Sequence, residues 1–226
     1  MNYKLYSFDK IPSTQEFAHE LVARGDAVDR TIILAAAQSA GRGRYRRKWV
    51  SHHGNLYASF IYRDDRRRPT LSYSVAVAVA ETLISFGITP QIKWPNDILV
   101  GGKKISGILI EYAKNFVIVG IGINIKSNPT VTADYETTKM DHFKVGEKVD
   151  KVLAVLMNQM DFWMSRLDAG DFATVRARWM ELAAGINAEI KYRGRPATLC
   201  EINADGALVL RRGNEYILTF GDEISI

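Results

Sequence analysis

Five segments of this 226-residue chain carry residue types that could do chemistry. The most unusual is a loop from Gly41 to Trp49, which holds five cations within residues 42–48. These charges repel one another unless an anion lies among them. Arginine binds phosphate oxygens in pairs, and the glycines of the loop allow its backbone to close over a ligand. The segment alone is equally typical of nucleotide binding and of nucleic-acid binding in which Tyr45 and Trp49 stack on bases.

Two later segments could serve phosphates and a metal ion. Residues 93–97, Lys-Trp-Pro-Asn-Asp, place a cation, an aromatic ring, an amide and a carboxylate on a predicted strand that ends in a turn. Asp97 is a reasonable Mg²⁺ ligand, since this ion takes one or two carboxylates plus substrate phosphates. Residues 101–111 begin Gly-Gly-Lys-Lys, which a plain hairpin turn with a solvated lysine also explains. A Walker A loop leads into a helix, whereas this segment leads into a strand, so it is not a Walker A loop. A lysine at the start of that strand, near Gly107, would be well placed to stabilise charge on a phosphate group.

Two weaker segments flank these. Ser13-Thr14-Gln15-Glu16 reads as a capping box at a helix start, although a helix N-terminus with two hydroxyls can also hold a polar or anionic group. Residues 120–124, Gly-Ile-Gly-Ile-Asn, lack the third glycine of a dinucleotide fingerprint. Two glycines two apart predict open space above one face of a strand, with room for a flat ligand beside Asn124.

Hydrophobic periodicity predicts the elements that position these residues. Helices are expected over 14–24, 71–86, 148–167 and 172–184, and strands over 31–37, 56–62, 105–112 and 116–125, with short strands around Ile92 and Ile98. Residues 126–147 are expected to form a long loop, of a kind usually kept for function. After Gly185, five short alternating runs predict a small barrel with strands at 188–192, 197–202, 207–210, 216–220 and 224–226. We therefore expect two domains, 1–185 and 186–226.

Composition narrows the class of protein. The formal charge is +5, and residues 41–68 alone hold nine lysines and arginines against two aspartates, so the remainder is slightly acidic. The single cysteine excludes a disulfide framework within the chain. No apolar stretch is long enough to span a bilayer, and the N-terminus lacks the features of a signal peptide. These observations predict a soluble cytoplasmic protein.

Taken in order, the motifs resemble those of the biotin–protein ligase family. The resemblance covers Ser-Thr-Gln-Glu, Gln-x2-Gly-Arg-Gly-Arg-x2-Arg-x-Trp, Lys-Trp-Pro-Asn-Asp, Gly-Lys-Lys-Ile-x-Gly-Ile-Leu-x-Glu and Gly-x-Gly-x-Asn. It runs from about residue 6 to the C-terminus, where Asp205–Leu210 and Gly221–Ser225 match elements of the SH3-like barrel of the family. The implied fold is α/β (α+β), with a mixed-sheet catalytic domain and a small C-terminal SH3-like β-barrel.

The resemblance also implies a reaction and the residues that perform it. ATP and Mg²⁺ would convert biotin to biotinyl-5′-AMP, and the biotinyl group would pass to a lysine of a biotin carboxyl carrier protein. The residues matching the biotin site of the family are Ser13, Thr14, Gln38, Gly41, Arg42 and Gly107. Those matching its nucleotide site are Arg44, Arg47, Trp49, Asn96, Asp97, Lys104 and Asn124. The catalytic charges would be Lys104, Arg44 and Arg42, and Asp97 would bind the metal.

This chain departs from the family pattern at several places. Gln15 stands where the family often has Asn, and Arg46 stands where it often has Gly, which predicts a stiffer and more basic loop. Residues 137–140 match the family's Ala-Thr-Ser-Leu only loosely, so no binding role is carried over there. The short stretch before Ser13 predicts a ligase without a DNA-repressor role. The resemblance leaves a homodimer open.

Two rival functions stay open at this point. A lipoate–protein ligase shares the fold class and the adenylation chemistry of the biotin enzyme. A basic nucleic-acid-binding module would explain the arginine-rich loop and predicts steeply salt-dependent binding. It would leave Lys-Trp-Pro-Asn-Asp and Gly-x-Gly-x-Asn without a purpose.

Overall fold

The computed structural model describes residues 3–129, 136–144, 146–220 and 224–225. The chain divides into two compact units. The first unit holds residues 1–68 and 102–154, and the second holds residues 69–101 and 155–226. The domain boundary near residue 185 was predicted from the change to short alternating strands after Gly185. It stays a prediction, because the two units are defined by contacts between residues instead.

The first unit is built on a mixed sheet with one helix against it. Its strands are β1 (Lys4–Ile11), β2 (Thr31–Gln38), β3 (Leu56–Arg63), β6 (Lys103–Ala113) and β7 (Phe116–Ile123). They run in the order β1-β2-β3-β7-β6, parallel between β1 and β2 and antiparallel elsewhere. The predicted helix α1 (Thr14–Arg24) packs its Ala18, Leu21 and Val22 against Ile33, Ile61 and Ile118 of the sheet. This burial holds the start of α1 over the sheet.

Strand β1 was missing from the sequence prediction. It is the end strand of this sheet, and most of its side chains are exposed. Its charged and polar residues interrupt the hydrophobic pattern, so only the parallel pairing with β2 defines it.

The second unit contains helices α2 (Leu71–Ile84) and α4 (Phe172–Leu182), and a hairpin of β4 (Gln91–Lys93) and β5 (Asp97–Val100). Helix α3 (Val149–Asp168) begins in the first unit and continues into the second. An aromatic cluster fills the core: Tyr73, Trp94 and Trp179 lie with ring centroids 5.4–6.3 Å apart. Trp94 of the Lys-Trp-Pro-Asn-Asp motif is therefore a core residue of this unit. This packing role of the motif was not predicted from the sequence.

The C-terminal strands form a separate antiparallel sheet of the second unit. They are β8 (Glu189–Tyr192), β9 (Arg195–Ile202), β10 (Leu208–Arg212), β11 (Glu215–Thr219) and β12 (Ile224–Ser225), in the order β11-β10-β9-β8-β12. Their number and positions agree with the predicted barrel, and the predicted fold class is confirmed. Within the residues described, no helix is long and apolar enough to cross a membrane.

We expect Tyr73→Phe to destabilise the protein. The Tyr73 hydroxyl is buried and donates a 2.6 Å hydrogen bond to the carbonyl of Gly206, in the turn before β10. Removal of the donor leaves that carbonyl unpaired, which costs about 1–3 kcal/mol. Urea unfolding measures the loss, and Tyr216→Phe, at a side chain that is 69% exposed, is the matched control. Equal free energies of unfolding for the two variants would contradict this role of Tyr73.

Candidate active site

The start of α1 is held by the end of β2. The Ser13 side chain accepts a hydrogen bond from the N–H of Glu16, so the serine half of the predicted capping box forms. Gln38 accepts through Oε1 from the Thr14 N–H at 2.9 Å and from the Thr14 hydroxyl at 3.2 Å. Thr14 and Gln38 are therefore in direct contact, and Ser13 precedes them as the N-cap of α1, so the three residues form one polar corner.

The arginine loop, residues 41–49, folds back on itself as a small hairpin. Backbone bridges join Gln38 to Ser51 and Arg42 to Lys48. At the base, the Gln38 amide donates to the Ser51 hydroxyl at 2.9 Å, and near the tip the Gly43 N–H donates to the Arg47 carbonyl at 2.8 Å. The loop thus carries its own hydrogen-bond framework, anchored on the same Gln38 that holds α1.

The backbone at the tip of the loop has a conformation that suits glycine better than arginine at position 46. Residues Arg44–Arg46 form one turn of 3₁₀ helix, in which Tyr45 and Arg46 have φ of 54° and 58°. Glycine adopts this left-handed conformation without steric cost, whereas arginine does not. The Arg44 guanidinium lies 5.2 Å from the centroid of the Tyr45 ring. Arg46 therefore adds both charge and backbone strain to the tip.

Trp49, at the end of the loop, lies over two paired glycines of the sheet. Gly107 of β6 and Gly122 of β7 are register partners. A Cβ atom would lie 2.8 Å from the Trp49 ring at Gly107 and 2.6 Å from it at Gly122. The indole rests directly on the sheet backbone because neither position has a side chain.

Gln15 fills the neighbouring position on the same face. A Cβ atom at Gly120 would lie 2.6 Å from the Gln15 side-chain oxygen. The space above Gly120 and Gly122, predicted from the sequence to be open for a ligand, is filled in this conformation, so that prediction is wrong. The protein's own Trp49 and Gln15 occupy the space, because the loop and α1 both fold onto this face.

Lys104 lies beside the Trp49 ring at the start of β6. Its Nζ is 5.3 Å from the ring centroid, in a cation–π arrangement. Its backbone is held from the other side, since the Lys104 N–H donates to the Glu136 carbonyl at 2.8 Å and the Thr138 N–H donates to the Lys104 carbonyl at 2.9 Å. The neighbouring Lys103 points elsewhere and forms a 2.8 Å ion pair with Glu136. Of the two lysines, the structure therefore brings Lys104 to the site.

Asn124 holds the same segment, residues 136–140, from the end of β7. Its side-chain amide donates to the Thr138 carbonyl at 3.0 Å, and its own carbonyl accepts from the Met140 N–H at 3.0 Å. Asn124 is 1% exposed, and its Oδ1 has no hydrogen-bond partner among the described residues. A ligand would have to reach Asn124 through that oxygen, so its predicted contact with adenine stays a prediction. Of the predicted loop 126–147, residues 130–135 and 145 lie outside the described residues.

The Glu111 carboxylate, near the C-terminal end of β6, contacts three hydrogen-bond donors. Its Oε2 accepts from Gln15 Nε2 at 3.0 Å and from Arg42 Nη2 at 3.2 Å, and it lies 2.9 Å from His19 Nε2. Burial raises the pKa of the Glu111 carboxyl, but the hydrogen bonds from Gln15 and His19 and the charge of Arg42 outweigh burial and bring the pKa below its ordinary value. Because the pKa of Glu111 is lower in the folded protein than its ordinary value of 4.5, the ionised carboxylate stabilises the folded state fully above pH 4.5. This contribution is lost as the pH falls below 4.5 and through the folded pKa.

Asn96 and Asp97 lie in the second unit, on the β4–β5 hairpin. Asp97 is buried and pairs in register with Lys93, while Asn96 is half-buried. Among the residues that the structure describes, no cluster of three or more His, Cys, Asp or Glu side chains could hold a metal ion. The roles of Asn96 and Asp97 stay predictions.

The predicted site residues therefore divide between the two units, with Asn96 and Asp97 in the second. The set that the first unit brings together is Ser13, Thr14, Gln38, Gly41, Arg42, Trp49, Lys104, Gly107 and Asn124. Arg44 and Arg47 lie at the tip of the loop. Sequence reasoning missed Glu111, His19 and Ser59, whose hydroxyl lies 2.9 Å from both Thr14 Oγ1 and Gln15 Oε1. Glu111 closes a quoted motif, a signal that could have identified it, whereas His19 and Ser59 follow no local pattern.

Comparison with known proteins identifies the family. The model of the biotin/lipoate A/B protein ligase family matches residues 7–128. The chain belongs to this family. It is 34% identical to the bifunctional ligase/repressor BirA of Bacillus subtilis over 93% of this chain and 70% of that protein. It is 33% identical to the biotin–[acetyl-CoA-carboxylase] ligase of Paracoccus denitrificans, over 79% of this chain and 83% of that one. The biotin protein ligase of Aquifex aeolicus in complex with biotin and ATP superposes with a TM-score of 0.88 at 25% identity, covering 98% of this chain and 97% of that chain.

We expect Gly41→Ala to disrupt the base of the arginine loop. A Cβ atom at Gly41 would lie 2.6 Å from the backbone carbonyl of Trp49 and 2.7 Å from the Ser51 hydroxyl. Such overpacking costs about 1–3 kcal/mol, measured as a loss in free energy of unfolding in urea. Gly43→Ala is the control, because the nearest atom there is 3.8 Å away and φ is −115°. If Gly41→Ala unfolds like Gly43→Ala, the loop does not pack as described.

Proposed function

We propose that this chain is a biotin–protein ligase that forms biotinyl-5′-AMP from biotin and ATP and transfers the biotinyl group to a lysine of a biotin carboxyl carrier protein. The observation that carries the proposal is the convergence on one sheet face of Thr14, Gln38, Arg42, Trp49 and Lys104. These residues come from three separate motifs and match the positions that the family uses for biotin and adenylate. Family relatives named as biotin–[acetyl-CoA-carboxylase] ligases support the same reaction.

The first step must bring two anions together. The biotin carboxylate attacks the α-phosphorus of ATP, a bond to the attacking oxygen forms, and pyrophosphate leaves. Lys104, Arg42 and Arg44 would offset the repulsion and stabilise the charge that develops on the phosphate oxygens. The Trp49 ring and the Gln15 amide would have to make room for, or pack against, a ligand that enters the glycine-lined face. The polar corner of Ser13, Thr14 and Gln38 supplies hydroxyl and amide groups suited to the ureido ring.

Magnesium would assist this step through the ATP phosphates. Asp97 is a buried carboxylate, and a single carboxylate fits an ion that keeps most of its ligands as phosphate oxygens and water. We propose that the Asn96 side chain binds the ATP nucleotide. When bound, the ion neutralises phosphate charge.

The second step needs protection of the adenylate from water. We propose that the arginine loop covers the mixed anhydride, with Arg44 and Arg47 near the phosphate. The carrier lysine amine then attacks the acyl carbon, a C–N bond forms and the nitrogen loses a proton to solvent, and AMP leaves with the electrons of the broken C–O bond. The positive charge of the loop suits this departing anion. We also propose a cytoplasmic location, which would supply the ATP that the proposed reaction needs.

The substrate can be tested by mass spectrometry. Purified protein is incubated with Mg-ATP and either biotin or lipoate, and the acyl-adenylate is sought in each sample. Biotinyl-AMP in the biotin sample alone is the expected result. Lipoyl-AMP, or no adenylate with either acid, would contradict the proposal, and lipoyl-AMP would indicate the other branch of the family.

We expect Lys104→Ala to slow adenylation strongly. Loss of one preorganised charge donor costs about 2–4 kcal/mol of transition-state stabilisation, or roughly 30- to 1000-fold in rate. Lys103→Ala is the matched control, since Lys103 is the adjacent lysine and pairs with Glu136 at the surface. The rate of pyrophosphate release measures both variants. A Lys104→Ala rate as high as that of Lys103→Ala would remove Lys104 from the mechanism.

A further inference from the structure

Glu111 has no role in the mechanism derived above, yet it ends a motif whose lysine and glycine both reach the site. On β6, side chains alternate between faces, so Glu111 shares a face with Leu109 and Gly107. Glu111 is paired in register with Ile118 of β7, and Gln15 donates to the Ile118 carbonyl at 3.3 Å. The carboxylate therefore lies on the same face as Trp49, beyond Gln15.

The carboxylate joins two elements that are otherwise distant in sequence. Gln15 and His19 lie one helical turn apart on α1, and both contact Oε2 of Glu111. The third contact is the Arg42 guanidinium, whose residue opens the arginine loop. The Glu111 side chain is only 29% exposed, which makes these charge-assisted hydrogen bonds stronger than surface ones.

We propose that Glu111 is a positioning residue for Arg42: its carboxylate, oriented by Gln15 and His19, holds the first arginine of the loop and thereby the loop itself. This inference rests on the proposed ligase function for its kinetic consequences, but not for its structural one. His19 contributes as a donor from Nε2, which orients the carboxylate towards Arg42. Gln15 contributes because its side-chain amide reaches from α1 to the carboxylate, with its Nε2 3.0 Å from Glu111 Oε2.

The contacts of Arg42 explain why a positioning residue is useful at this point. The Arg42 side chain is 37% exposed, and its backbone is bridged to Lys48 of the same loop. Four further cations follow it before Trp49, and these repel Arg42. A fixed carboxylate offsets this repulsion at the base of the loop, where Arg42 would otherwise swing towards solvent.

The structural consequence can be tested by limited proteolysis with trypsin, which cleaves after the arginines of the loop. Glu111→Gln removes the charge that holds Arg42, and we expect cleavage at Arg44, Arg46 or Arg47 to be about tenfold faster than in the wild type. Glu20→Gln is the matched control, because Glu20 lies beside His19 on α1 and pairs with Arg24 in solvent. Equal cleavage rates for Glu111→Gln and Glu20→Gln would overturn the proposal. This readout needs no enzymatic activity, so it stands even if biotinyl-AMP is not formed.

The kinetic consequence is measured as kcat/KM for biotin in adenylate formation. Glu111→Gln is expected to lower it about tenfold, and in an Arg42→Ala background the same change should have no further effect. A full additional loss in that background would show that Glu111 does not act through Arg42. His19→Leu should lower kcat/KM several-fold, while His19→Gln, which keeps a donor, should restore it. Failure of His19→Gln to differ from His19→Leu would also contradict the proposal and does not depend on the folding of Glu111→Gln.

Discussion

The described site depends on the close approach of side chains to a sheet that lacks Cβ atoms at three positions. Gly107 and Gly122 pair across β6 and β7 beneath the Trp49 ring, and Gly120 lies beneath the Gln15 amide. Any other residue at these positions would bring a carbon within 2.8 Å of the ring or the amide. Because the sheet is bare there, the arginine loop and the start of α1 can both lie on its surface. The polar groups around Thr14, Gln38 and Lys104 then surround one shared area.

Several cationic side chains in this area contact an aromatic ring or a carboxylate. Lys104 lies beside the aromatic ring, Lys103 is neutralised by Glu136, and Arg42 is held by Glu111. Arg44, Arg46 and Arg47 lie towards the tip of the loop, where Tyr45 and Arg46 take left-handed backbone conformations. A polyanionic ligand would therefore meet a loop that is anchored by an ion pair at its base and carries three arginines around its tip. This distribution fits a segment that stays anchored while its far end responds to phosphate.

The sequence-based prediction was most accurate where structure is local. The helix that begins at Thr14, the strands after Thr31 and Leu56, and the C-terminal strands all follow from periodicity and turn residues within a few positions. It failed at β1, whose exposed side chains carry little hydrophobic pattern. It also gave Trp94 no structural role, although the ring packs against Tyr73 and Trp179 in the second unit. No local pattern predicts contacts between residues so far apart in the chain.

The sequence by itself determined the family, the expected reaction and the motifs, because those depend on residue types in a fixed order. Tertiary structure decided which side chains of the motifs meet. Glu111 contacts His19 across 92 positions and Gln15 across 96, and the Asn55 side-chain oxygen accepts from the N–H groups of residues 125–127, which are 70 to 72 positions away. It also decided that Trp49 fills the space above the glycines. These outcomes depend on strand register and helix placement, which bring together groups whose separation along the chain carries no signal.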